Sequence, residues 1–293
     1  MSLIGTMDSG VSALRTFQTG LEVIGNNIAN VNTTGFKGSS AKYSDSFSNI
    51  LQASSPAPAS GNGSDTPTTG VGTGVGLAGI TVNFSQGSLE STGNSTDLGI
   101  SGNGYFVVKN SLDSSVYATR VGSFRMDSQG YLVSQQGYRV QGLTGGTAAA
   151  APATVGDIKL GTPPVGTELQ SFSIDKSGNL VEFYSDGTSA TTNQVLMQNF
   201  NDPSALTSVG NGLYGSMGAA GPVSGSIALT AAANAPGTSG LGSIQAGTLE
   251  GSNVDLTQEF SNLITTQRSF QAASRLITVS DTVLDDIVNL KTR

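Results

Sequence analysis

The sequence has no histidine, no cysteine and no tryptophan. Without the first two there is no Ser-His-Asp triad, no thiol nucleophile and no ordinary zinc site. A disulfide framework is excluded as well. Charge is also scarce: 13 basic and 20 acidic residues make up 11% of the 293-residue chain and leave a net charge of −7. No basic run is present, so the electrostatic footprint of a nucleic-acid or anionic-membrane partner is missing. No stretch approaches the roughly 18 apolar residues of a membrane span, so membrane insertion is not expected. The first residues show no basic segment followed by an apolar block, so no Sec-type signal is expected. On these grounds the chain is expected to be no enzyme and to need no cofactor or metal.

What the chain has in quantity is glycine, 40 residues of it, and a helical pattern at each end. Ile4, Met7, Val11, Leu14, Leu21 and Ile28 follow a 3–4 spacing, with Phe17, Ile24 and Val31 beside them. That is one face of an amphipathic helix. Asn26, Asn27, Asn30 and Asn32 then supply side chains that compete for backbone hydrogen bonds, and Thr33, Thr34 and Gly35 follow. The helix is expected to end between Asn30 and Gly35. At the other end, residues 252–293 contain neither Gly nor Pro, and Leu256, Leu263, Phe270, Ile277 and Leu284 recur every seven. Phe260 and Val288 are placed at the second seam position of a heptad helix about 60 Å long. Gln267, Ser274 and Asp281 weaken that second position, as Gln18 and Gly25 weaken the N-terminal stripe. The two imperfect stripes suggest an antiparallel pair that still needs neighbouring copies.

Between the ends the reading is β. Segments such as Gly104-Tyr-Phe-Val-Val-Lys109 and Val195-Leu-Met-Gln-Asn-Phe200 are short, rich in β-branched and aromatic residues, and bounded by turn signals. Phe124-Arg-Met-Asp-Ser-Gln-Gly-Tyr-Leu-Val133 echoes Phe172-Ser-Ile-Asp-Lys-Ser-Gly-Asn-Leu-Val181, each a strand, an Asp-x-x-Gly turn and a strand. Asp127 and Asp175 lack the further ligands of a calcium loop and are read as turn caps. A second echo pairs Gly87-Ser-Leu-Glu90 with Gly247-Thr-Leu-Glu250, so the chain is expected to enter and leave the β region side by side. The run Gly72-Thr-Gly-Val-Gly76 has no following Lys-Ser/Thr and is not read as a phosphate loop. The expected fold is α+β, mainly β: a central β-rich domain of short hairpin-connected strands, flanked by long N- and C-terminal helices that pair as a coiled-coil-like stalk. The expected boundaries are an N-terminal helix over residues 1–35, an extended Gly/Ser/Pro-rich linker over 36–79, a β domain over 80–250 with a loop or small insert at 143–167, and a C-terminal helix over 252–293.

The wording of the N-terminal motif, Val23-Ile-Gly-Asn-Asn-Ile-Ala-Asn-Val-Asn-Thr-Thr-Gly-Phe-Lys37, closely resembles the signature of the bacterial flagellar axial proteins, the rod, hook and hook-associated family. Phe84-Ser-Gln-Gly-Ser-Leu-Glu-Ser-Thr-Gly-Asn94 and Asp97-Leu-Gly-Ile-Ser-Gly-Asn-Gly-Tyr-Phe-Val-Val108 look like the β domain of hook and distal-rod proteins. Leu249-Glu-Gly-Ser-Asn-Val-Asp-Leu256 and Thr266-Gln-Arg-Ser-Phe-Gln-Ala272 resemble the family's C-terminal motif. The resemblance implies a structural subunit that polymerises helically into a hollow tube, is exported by the flagellar type III apparatus, and meets rod, hook-cap and hook–filament junction proteins. It places the protein in the flagellum, and Gly137-Tyr-Arg-Val-Gln-Gly142 favours the curved, torque-transmitting hook over the distal rod. The implied assembly residues are Val11, Leu14, Leu21, Ile24, Asn26, Asn27, Ile28, Asn30, Asn32, Gly35 and Phe36 at the N-terminus. At the C-terminus they are Leu256, Phe260, Leu263, Gln267, Phe270, Ile277, Leu284 and Val288.

From other classes, an extracellular β-rich adhesin or a polysaccharide-active enzyme would also suit a β-rich middle. Asp97, Asp113, Asp157, Glu168, Glu182 and Asp186 could be paired for glycoside hydrolysis, yet none lies in a motif that separates it from a turn or solvated residue. An enzyme would not require helical stripes at both termini.

Overall fold

The computed structural model describes residues 3–55, 65–145, 154–161, 166–230 and 233–291. Two helices bracket the strands: α1 is Leu3–Ala29 and α2 is Leu256–Lys291. The chain divides into two compact units. The first contains residues 1–29, 39–83 and 255–293; the second contains 30–38 and 84–254.

The first unit holds both helices and four strands: β1 (Ser39–Asp45), β2 (Ser48–Gln52), β3 (Thr69–Gly72) and β4 (Val75–Val82). β1 pairs antiparallel with β4, and β2 with β3. The sequence reading placed a linker over 36–79; its composition hid these two ladders because their outward residues are mostly Ser, Thr and Gly. β1 is held to α1 by the edge-to-face contact of Phe17 and Tyr43, with ring centroids 5.9 Å apart.

The second unit is built from short antiparallel strands. In chain order they begin with β5 (Leu89–Ser91), β6 (Leu98–Ser101), β7 (Tyr105–Lys109), β8 (Val116–Thr119), β9 (Phe124–Met126) and β10 (Leu132–Ser134). Next come β11 (Arg139–Thr144), β12 (Thr154–Asp157), β13 (Leu169–Ile174), β14 (Asn179–Tyr184) and β15 (Ser189–Val195). The last are β16 (Met197–Gln198), β17 (Thr207–Gly210), β18 (Leu213–Gly215), β19 (Ser243–Ala246) and β20 (Thr248–Glu250). Among the described residues, twelve of them join one sheet whose main path is β13-β14-β15-β11-β7-β8-β18-β17.

Both expected hairpins are present. β9 pairs with β10 and β13 with β14. Asp175 Oδ1 accepts from the amides of Ser177 and Asn179, and Asp127 Oδ1 from that of Ser128, so both carboxylates are occupied as turn caps. The second echo also forms a pair: β5 and β20 run antiparallel with Leu249 opposite Glu90.

Residues 143–167, expected as a loop or small insert, behave differently where they are described. β12 pairs along β11, and Ile158 is fully buried in the main core with Leu98, Phe106, Leu132, Val140, Leu180, Met197 and Ile244. Alanine, glycine and proline dominate this stretch, so the short run from Val155 to Leu160 carried too weak a pattern to reveal a strand.

Candidate functional site

Within the first unit α1 and α2 pack antiparallel. Thr6 Oγ1 lies 3.5 Å from Ser280 Oγ, the Cα of Gly10 faces Ile277, and that of Gly20 faces Thr266. The α2 residues turned toward α1 include Leu263, Phe270, Ile277 and Leu284, all partly buried. Their heptad phase agrees with the sequence reading. The other seam position does not. It is filled by Glu259, Thr266, Ala273 and Ser280, four residues before each large side chain, and of these Ala273 and Ser280 are buried. Gly10 and Gly20, both buried, lie on the facing stretch of α1, while Thr16 turns its hydroxyl to the Val75 carbonyl of β4. Small side chains on both helices let the backbones approach closely, and large residues at that position would hold them apart.

Phe260, Gln267 and Val288 therefore lie outside the seam, a correction of their expected position. Phe260 is 50% exposed and Val288 61%, and Leu256 is exposed as well. With Ile264, Val279, Val283 and Ile287 they leave apolar surface along the outside of α2. On α1, Val11 is exposed, while Leu14, Leu21 and Ile28 are half-buried and Ile24 is buried.

The asparagine-rich motif that spans the end of α1 is used largely inside the chain. Asn27 is buried; its Nδ2 donates to the Ser39 carbonyl and its Oδ1 accepts the Ser39 amide. Asn26 and Asn32 are exposed. In the second unit Asn30 caps the turn that follows the helix, accepting the amide of Thr33 through its carbonyl and the Thr33 hydroxyl through Oδ1. Asn32 also lines a cavity of about 360 Å³ with Val31, Thr34, Glu90, Leu249 and Val254. Gly35 has φ +67°, and an added Cβ would stand 3.0–3.1 Å from backbone atoms of Arg120 and Val121, so both conformation and space call for glycine. Its amide donates to the Glu250 carbonyl at 2.7 Å, and half-buried Phe36 accepts the Asn253 amide through its own carbonyl.

The least expected feature of the second unit stands beside this motif. Lys37 Nζ lies 2.6 Å from Glu250 Oε1, and Arg120 Nη1 lies 3.1 Å from Glu250 Oε2. The lysine and glutamate side chains are fully buried and that of Arg120 is 5% exposed. Further bonds complete the cluster. Lys37 donates to the Ser85 carbonyl, Arg120 Nη2 to that of Gly102, and the Gly87 amide to Glu250 Oε1. The guanidinium also stands 5.2 Å from the Tyr105 ring centroid. Burial holds the Lys37 ammonium below its ordinary pKa, although Glu250 works in the other direction. Asn253 ties two neighbouring segments together, its Oδ1 accepting the Gly38 amide and its Nδ2 donating to the Ser85 carbonyl. Sequence reasoning missed this cluster. The available signal was Lys37 at the end of a motif in a chain with few charges, and a Glu closing each copy of the second echo. Only Glu250 is buried; Glu90 is exposed.

Lys37, Arg120 and Glu250 are thus spent on an internal clasp of the second unit, while α2 of the first carries apolar residues on its outside. Three family models match: flagella basal body rod protein over residues 7–37, flagellar hook protein FlgE/F/G D1 domain over 99–182, and flagellar basal body rod FlgEFG protein C-terminal over 245–290. The flagellar basal-body rod protein FlgG of Bacillus subtilis is 38% identical, across 99% of this chain and 100% of that one. FlgG of Agrobacterium fabrum is 31% identical across 90% of each. The flagellar hook protein FlgE of Treponema pallidum is 38% identical over 48% of this chain and 30% of its own length. The chain belongs to the flagellar rod and hook family of axial proteins. It is accordingly a protein of the bacterial flagellum, from a family of structural subunits rather than enzymes.

Proposed function

We propose that this chain is a subunit of the basal-body rod, in its distal part, and that it polymerises helically into a straight hollow tube. The observation that carries this reading is the extent of the match: rod relatives align over nearly the whole of both chains, whereas the hook relative aligns over about half of this one. The hook, favoured by the wording of residues 137–142, becomes the second reading. It keeps the support of that partial match. For a hook, low charge and small surface residues would let copies slide as the tube bends.

Polymerisation in either case proceeds by open heterologous contacts, a patch on one copy meeting a different patch on the next. Phe260, Ile264, Val279, Val283 and Ile287 supply apolar area for it, as does Val11 on α1. Each such side chain contributes about 1.5–3 kcal/mol on full burial. The flagellar type III apparatus is the proposed export route, and the neighbouring rod, hook-cap and hook–filament junction proteins are the proposed partners. Immunogold labelling of isolated hook–basal bodies tests the assignment. Label confined to the rod supports it; label along the hook replaces it with the second reading.

A further inference from the structure

We infer that Glu250 is a charge lock on folding: the second unit closes around Lys37 and Arg120 only once the chain is present through residue 250. The lock stands on the geometry of the second unit and holds for a rod or a hook subunit alike.

Lys37 and Arg120 are 83 residues apart in sequence, and Glu250 follows Arg120 by 130. One carboxylate serves both cations, one on each oxygen. Remove it and two like charges share a site from which water is excluded, the ammonium keeping only the Ser85 carbonyl and the guanidinium the Gly102 carbonyl and the Tyr105 ring. An uncompensated buried charge is among the most expensive defects a domain can carry. Losing the carboxylate takes away a large share of an ordinary domain's stability, so a body lacking Glu250 shifts toward the open chain. The same final segment supplies Ile244 and Leu241 to the main core, and β19 and β20 as the partners of β6 and β5. Apolar closure and charge neutralisation therefore arrive together, at the C-terminal edge of the unit.

A lock differs from an ordinary stabilising contact in its kinetics and in its dependence on charge. The full-length chain is refolded from denaturant with pulsed hydrogen exchange, following segments 105–119 and 243–250. The lock predicts that both gain protection in one phase; protection of 105–119 in a distinct earlier phase overturns it. In Glu250→Gln the shape is kept and the charge lost, and the folded-to-unfolded ratio is expected to fall about a hundredfold or more. Should that variant not fold, Lys37→Met is added to it. Removing one of the two stranded cations is expected to restore much of the lost stability and a measurable refolding phase. Wild-type stability in Glu250→Gln, or no recovery in the double variant, shows that charge does not close the unit.

Discussion

Asn27 and Ser39 exchange two hydrogen bonds, Nδ2 to carbonyl at 2.7 Å and amide to Oδ1 at 2.9 Å. The side-chain amide thereby acts as a strand partner for the first residue of β1, while its own backbone is helical. Asn27→Ala leaves the part-buried amide and carbonyl of Ser39 without these partners and is expected to cost about 1–3 kcal/mol. Asn27→Asp replaces the donor with a second acceptor against the Ser39 carbonyl and should cost no less. Urea unfolding of both variants measures this; midpoints equal to wild type would show that water replaces the pair at no cost.

The two kinds of ion pair in the second unit should respond differently to truncation. Glu250→Ala leaves Lys37 and Arg120 buried without their carboxylate, an expected loss of about 3–5 kcal/mol. The Arg139–Asp157 pair, at 2.9 Å, has both side chains 26% exposed. Asp157→Ala also takes an acceptor from the Gln141 side chain and should cost about 1–2 kcal/mol, still less than Glu250→Ala. Denaturation of both variants under one condition gives the ranking.

Alkaline pH provides a test without mutation. A hydrogen bond to Glu182, with burial, pushes the Tyr184 hydroxyl up to about 12, and burial pushes Tyr214 up to about 12 and raises Tyr105 as well. A raised folded-state pKa contributes stability that is complete below the unfolded value of 10 and is lost as pH climbs through the folded one. Lys37 works the other way, since its lowered pKa makes the unfolded chain the better proton binder below pH 10.5. Three tyrosines against one lysine predict a falling denaturation midpoint from pH 10 to about 12, with tyrosinate absorbance rising on unfolding. A midpoint that rises over this range contradicts the assignment.

The outside and the seam of α2 should separate folding from assembly. Phe260→Ser, Ile264→Ser and Val279→Ser lie on exposed surface and are expected to leave monomer stability within about 0.5 kcal/mol. Together they should abolish polymerisation. Ala273→Leu, on the seam, should instead disrupt the helix pair of the monomer, because the buried alanine has no room for three more carbons. Circular dichroism and sedimentation of the same samples distinguish the two effects.

What the sequence made legible follows from the strength of each pattern. Leu263, Phe270, Ile277 and Leu284 announced one seam position because they are large, apolar and evenly spaced. Thr266, Ala273 and Ser280 announced nothing, since a close helix contact requires smallness rather than hydrophobicity. The hairpins at Asp127 and Asp175 were readable from local turn chemistry, and the echo ending in Glu250 foretold the β5–β20 pair. Lys37 and Glu250 lie 213 residues apart, and nothing local in either predicts burial. The clasp also shows that residues 30–38 belong with the β body, so a chain trimmed to begin at residue 80 would leave Glu250 without its lysine.

Outward apolar side chains of the terminal helices are proposed to drive assembly into a straight tube. Negative-stain electron microscopy of the full-length protein, concentrated in stages beside the Phe260→Ser/Ile264→Ser/Val279→Ser variant, tests it most directly. Straight tubes from the wild type and none from the folded variant are the predicted result. Curved tubes, or tubes of equal abundance from the variant, would contradict it.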